Sequence, residues 1–129
     1  MSVKKSKWID RTLVKAHYRI CLVLNQEQLH RELRKCKIPV EDWPNKYASK
    51  GGAACVFYDD ELYCFVMVNF SKKSTIEERY SMLCHEAVHV FQWNCAKIGE
   101  HDPSAEFEAY SIQAIAHNLM VAYRNLTSA

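Results

Sequence analysis

A chain of 129 residues, 49% hydrophobic and 25% charged, is long enough to enclose one core and short for two. Its net charge of +2 is too small to argue for a nucleic-acid partner or an anionic membrane surface, and no run of residues is apolar and long enough to span a bilayer. The cysteines at 21, 36, 55, 64, 84 and 95 contain no C-x-x-C pair and no compact framework. Each falls inside an apolar pattern, as free thiols do in a reducing compartment, so a cytoplasmic location is expected.

The first fifteen residues carry Lys4, Lys5, Lys7, Arg11 and Lys15 but no apolar h-region, so they read as a basic, frayed lead-in and not as a secretory signal. From His17 to Leu24 the chain alternates, with Tyr18, Ile20, Leu22 and Leu24 on one face, which predicts a half-buried strand. Asn25 then caps a helix to about Lys37, with Leu29, Leu33 and Cys36 inward and Pro39 beyond its end. His30, among Arg31, Arg34 and Lys35, is expected in solvent. Residues 39–52, with Pro39, Pro44 and Gly51-Gly52, form a loop anchored by the packing of Trp43. Two β-rich runs, Ala53 to Tyr58 and Leu62 to Phe70, flank the turn Tyr58-Asp59-Asp60-Glu61 and predict an antiparallel hairpin with a solvated acidic tip.

Ser74-Thr75-Ile76-Glu77 reads as a capping box, Ser74 accepting from the third helical N–H and Glu77 reaching back. No Pro or Gly interrupts the chain from there to Ile98, and Gly99 supplies the stop, so a helix of about 24 residues is expected. Leu83, Ala87 and Val90 follow one stripe of it; Met82, His85, His89 and Gln92 follow another. Histidines four residues apart come round to one face, one turn above each other, within reach of a single metal ion. Zn²⁺ is the usual choice for nitrogen ligands at this spacing. On so apolar a helix the two imidazoles are expected to be buried, and a metal between them costs less than leaving them unpartnered. Glu86, one residue past the first histidine, sits beside the metal and can take a proton from a metal-bound water, as in H-E-x-x-H hydrolases. The bland alternative is a helix with two surface histidines.

An open metal site needs a third protein ligand, and after His89 the candidates are Cys95, His101, Glu106, Glu108 and His117. Gln92 stands where the longer H-E-x-x-H-x-x-G-x-x-H pattern needs Gly, so the helix continues and Cys95 points about 240° around from His89, into the core. Asp102-Pro103 reads as the cap and first residue of a second helix, running to about Asn125 with Ile112, Ile115, Ala116, Leu119 and Tyr123 inward. Glu106 and Glu108 lie in its first turns and point about 200° apart, so one of them at most faces the histidines. Each precedes a small residue by three, Ala109 for Glu106 and Ser111 for Glu108, which leaves both open. His117 is about 16 Å along the axis from Glu106 and too far for a ligand. Tyr110, His117 and His101 are candidate donors to an oxyanion.

His85-Glu86-Ala87-Val88-His89 followed by Glu106-Phe107-Glu108-Ala109 resembles the gluzincins, the thermolysin-like zinc peptidases and their small relatives. Ser104 to Gln113, together with Ile38-Pro39-Val40-Glu41-Asp42-Trp43-Pro44, looks more narrowly like small metallopeptidase-like proteins encoded in bacteriophage and prophage genomes. Ala109-Tyr110 aligns with those only when Glu106 is the ligand. The resemblance implies a minimal zincin fold, Zn²⁺ held by His85, His89 and Glu106, Glu86 as general base, and a host-cytoplasmic setting if the chain is phage-encoded.

The order strand, helix, hairpin, metal helix, ligand helix predicts an α+β domain in which a small, antiparallel-containing sheet packs on helices. The expected activity is hydrolysis of a peptide bond, with a peptide or protein as substrate and no nucleic acid or membrane as partner. The competing class is a non-catalytic module that keeps zinc for stability and holds a partner protein. Glu86 argues for chemistry, since a structural zinc has no use for a base; the small size of the domain argues for binding. An edge strand bordering the metal could hold an extended peptide by strand addition, but the sequence does not say which strand that is.

Overall fold

The structure is a computed structural model and describes residues 6–9 and 18–128. Within them the elements are β1 (Lys7–Ile9), β2 (Arg19–Val23), α1 (Gln26–Lys35), a 3₁₀ turn (Val40–Asp42), β3 (Ala53–Tyr58), β4 (Tyr63–Val68), α2 (Ile76–Ile98) and α3 (Ala105–Thr127). This is an α+β arrangement of three helices on a mixed four-stranded sheet of order β1-β2-β4-β3. The two central strands are parallel, with Arg19 opposite Tyr63 and Val23 opposite Met67. The outer pairs are antiparallel, β1 on β2 and β3 on β4, the second of them the expected hairpin.

β2 and β4 are buried on both faces, and that explains their near-continuous apolar runs, Ile20 to Val23 and Tyr63 to Val68. On one face Ile20, Leu22, Cys64 and Val66 pack against Leu83, Ala87 and Val90 of α2 and Leu119 of α3. On the other, Cys21, Val23, Phe65 and Met67 meet Leu29 and Leu33 of α1 and Ile38 of the following loop. The alternation across Tyr18–Leu24 predicts a strand wet on one side; the α1 layer covers that side too. Part of the expected basic lead-in is also ordered. Lys7–Ile9 form an edge strand, Trp8 Nε1 donating to the buried Glu32 carboxylate at 2.9 Å. His17 and the remaining N-terminal lysines and arginine lie outside the described residues.

Both long helices start later than their local sequence predicts. The capping box of α2 is Thr75 with Glu78, not Ser74 with Glu77, because Ser74 Oγ is already engaged, donating to Ser71 O at 2.6 Å and accepting from Arg79 Nε at 2.7 Å. The cap of α3 is Ser104, whose hydroxyl accepts from Phe107 N at 3.3 Å, and Asp102-Pro103 stays in the connection. A proline disfavours helical backbone in the residue before it, and Ser104 offers an equally good oxygen after it. Gly99 ends α2 as expected, at φ 79, in the left-handed region that glycine tolerates best.

Two side chains have more partners than their local context suggests. His30 stacks on Trp43 with ring centroids 4.7 Å apart, while Trp43 Nε1 donates to Ile38 O at 2.9 Å and fixes the loop as an anchor. Asp59, at the hairpin tip, accepts from the buried Tyr18 hydroxyl at 2.6 Å and pairs with Lys97 Nζ at 2.8 Å, tying β2 and the hairpin to the end of α2. Among the described residues no helix is long and apolar enough to cross a membrane.

Burial pushes the Tyr58 phenol up to about 12 and moves the Tyr47 phenol and the Cys21 thiol the same way. A group whose folded pKa is raised contributes stability that is complete below its unfolded pKa and is lost as pH climbs towards the folded one. Unfolded cysteine and tyrosine titrate near about 8.5 and 10. The urea midpoint is therefore expected to fall progressively above about pH 9. A midpoint unchanged between pH 8 and pH 11 would show that these side chains are not buried as described.

Candidate metal centre

The position of the site follows from how α2 is held. Leu83, Ala87 and Val90 turn into the core, which leaves His85 and His89 on the helix face pointing away from it. The capping box and Arg79, whose Nη1 donates to Tyr123 Oη of α3 at 3.2 Å, hold the start of the helix in that rotation. The two imidazoles are exposed, not buried, so the cost of burying them gives no reason for a metal. Their Nε2 atoms stand 3.1 Å apart, and two nitrogens about 2.05 Å from a tetrahedral zinc are roughly 3.3 Å apart. The separation is close to that of two ligands on one ion, and it equally serves a single N–H···N hydrogen bond.

Glu86 is only 3% exposed, and its ligand-capable atom lies within 4.8 Å of those of His85 and His89. It turns towards β3, the edge strand, where the Cys55 thiol donates to its Oε2 at 3.6 Å. The thiol's pKa is driven strongly up, first by its hydrogen bond with Cys64, then by burial and by the charges of Cys64 and Glu86. Cys55 therefore stays protonated, with its single S–H shared between Cys64 and the Glu86 carboxylate. Its pattern marks Cys55 as an ordinary strand cysteine. The clue to its role is that Ala53, Cys55 and Phe57 alternate onto one face of β3, and that face is turned towards Glu86 by a strand order the sequence does not display.

Two adjoining hollows run between β3 and α2. One, of about 370 Å³, lies among Gly52, Ala53, Ser81, Met82, His85 and Glu86. The other, of about 520 Å³, lies between the strand from Ala53 to Phe57 and His85, Glu86, His89 and Trp93. Trp93, one turn beyond His89, is stacked on Phe57 with ring centroids 4.6 Å apart and an interplanar angle of 21°.

The remaining candidates lie elsewhere. Among the described residues the grouping that could hold a metal is His85, Glu86 and His89; Glu106 and Glu108, both exposed in the first turn of α3, are outside it. Between them Phe107 packs on Phe91 of α2, at 5.9 Å. Cys95 is buried as expected, and its thiol is pushed up by burial and then by the charges of Glu100 and Glu108. Tyr110 and His117 line a separate hollow of about 790 Å³ with Cys84 and Gln113, and His101 is exposed in the connection after α2. None of these three lines the hollows beside the histidine pair. No protein family, curated protein or solved structure matches this chain.

Proposed function

We propose that this chain is a zinc-dependent hydrolase of the gluzincin type, a minimal zincin domain acting on peptide bonds. The observation that carries the proposal is the convergence of His85 and His89 Nε2, 3.1 Å apart, with the buried Glu86 beside them on the edge strand of the sheet. His85 and His89 would hold Zn²⁺, and the resemblance to the gluzincins assigns the third ligand to Glu106. Zinc bound there supplies an acidified water and an electrophile for the scissile carbonyl. Glu86 takes the proton of the attacking water and returns it to the leaving amine. The Cys55 thiol holds the Glu86 carboxylate in one orientation while it does so. Among the described residues the outer edge of β3 has no strand partner, which suits an extended peptide lying between it and the histidines. A zinc-stabilised binding module has no need of a carboxylate held in this way, so the position of Glu86 favours the enzyme.

Purified protein should take up one Zn²⁺ per chain, and His85→Ala or His89→Ala should abolish tight uptake. Elemental analysis showing no transition metal bound even after zinc addition would sink the proposal. In Glu86→Gln, which has the same shape but no basic carboxylate, zinc content and melting temperature should stay near the parent. Its peptide hydrolysis should fall by about 10²–10⁴-fold. Full activity in Glu86→Gln would remove Glu86 from the mechanism, and a zinc-loaded parent that cleaves no peptide would favour the binding module.

Glu106 and Glu108 are separable by affinity. Loss of a ligand carboxylate should weaken zinc binding by more than about a hundredfold, whereas loss of a solvated one should barely register. Competition with a chromophoric chelator is expected to show that collapse in Glu106→Ala and near-parental affinity in Glu108→Ala. The reverse result would transfer the ligand role to Glu108.

A further inference from the structure

We propose that Trp93 and Phe57 form a subsite for an aromatic side chain of the substrate, the third residue before the bond that is cleaved. The inference rests on the peptide-hydrolase proposal above and adds to it the class of residue selected. Two contacts and one shared hollow align β3 with α2: Cys55 meets Glu86 at 3.6 Å, Phe57 stacks on Trp93 at 4.6 Å, and Ala53 lines the same hollow as Ser81 and Met82. Strand and helix thus run in the same direction, and the step from Cys55 to Phe57 is one same-face repeat of about 6.7 Å. A peptide strand added to the free edge has the same rise. Its residue level with Phe57 is therefore two away from the residue level with Glu86, and its side chain falls on the same face. An antiparallel addition, the more stable kind, sets the N-terminal part of the peptide towards Phe57.

The wall itself is shaped for an uncharged ring. Trp93 is 41% exposed although its indole is one of the largest apolar groups in the chain. One face is covered by Phe57, and its indole N–H has no hydrogen-bond partner among the described residues. Beyond the wall Lys97 is paired with Asp59 at 2.8 Å. The wall therefore offers a flat apolar face and a free N–H, which favours an aromatic residue over a charged one.

The test measures binding to the zinc-loaded protein by calorimetry, using acetohydroxamate as the bare chelating group and the tripeptide hydroxamates Phe-Gly-Gly, Gly-Gly-Gly and Asp-Gly-Gly. The Phe peptide is expected to bind about tenfold more tightly than the Gly peptide, and the Asp peptide no more tightly than Gly. Trp93→Ala should erase the Phe preference while leaving acetohydroxamate affinity at the parental value, and Trp93→Phe should keep most of it. Equal affinities for the Phe and Gly peptides, or a preference that survives in Trp93→Ala, would overturn the subsite alone. Failure of acetohydroxamate to bind the zinc-loaded parent would overturn the metal-site proposal and the subsite with it.

Discussion

The seating of α2 on the central strands is the constraint on which the rest depends. Leu83, Ala87 and Val90 bury against β2 and β4, and this fixes the rotation of the helix about its own axis. A helix advances about 100° per residue, so once those three point inward His85 and His89 must point outward and Glu86 sideways, towards β3. The polar contacts refine what burial sets. Thr75 and Glu78 close the first turn, Arg79 joins it to Tyr123, and the Lys97–Asp59 pair holds the far end against the hairpin. Placing Glu86 between a histidine pair and a strand thiol is thus a result of packing in which none of those polar groups takes part.

Local pattern was enough to find every long element. The hairpin, both long helices, the stop at Gly99, the core position of Cys95 and the packing role of Trp43 could all be read from spacing, because each depends on neighbours within a few residues. Properties that depend on the third dimension could not. Whether the second face of β2 is wet depends on where α1 lands. Whether His85 and His89 are buried depends on what lies over them, and among the described residues both are exposed. The Cys55 contact needs the strand order, which places β3 outside β4 and next to the site. The two misplaced caps have a simpler origin: Ser74, Thr75, Asp102 and Ser104 are all good caps, and tertiary hydrogen bonds chose among them.

The first turn of α3 is where local sequence and fold are least reconciled. Phe107 packs on Phe91, and this contact orients the turn while leaving Glu106 and Glu108 in solvent on either side of it. Because the two carboxylates point about 200° apart, bringing either one to the histidines requires a different rotation of this turn.

The two margins of the sheet are finished differently. β1 is three residues long, begins with Lys7 and is tied to α1 through Trp8, so that margin offers little to a stray strand. β3 is six residues long, Ala53 to Tyr58, and carries no charge. Such a margin is a template for any extended chain, including another copy of itself. Such an edge beside the histidines commits the molecule to a standing risk of self-association; α2, with Trp93 stacked on Phe57, covers one face of the strand, and the loop around Trp43 and Tyr47 packs against the other.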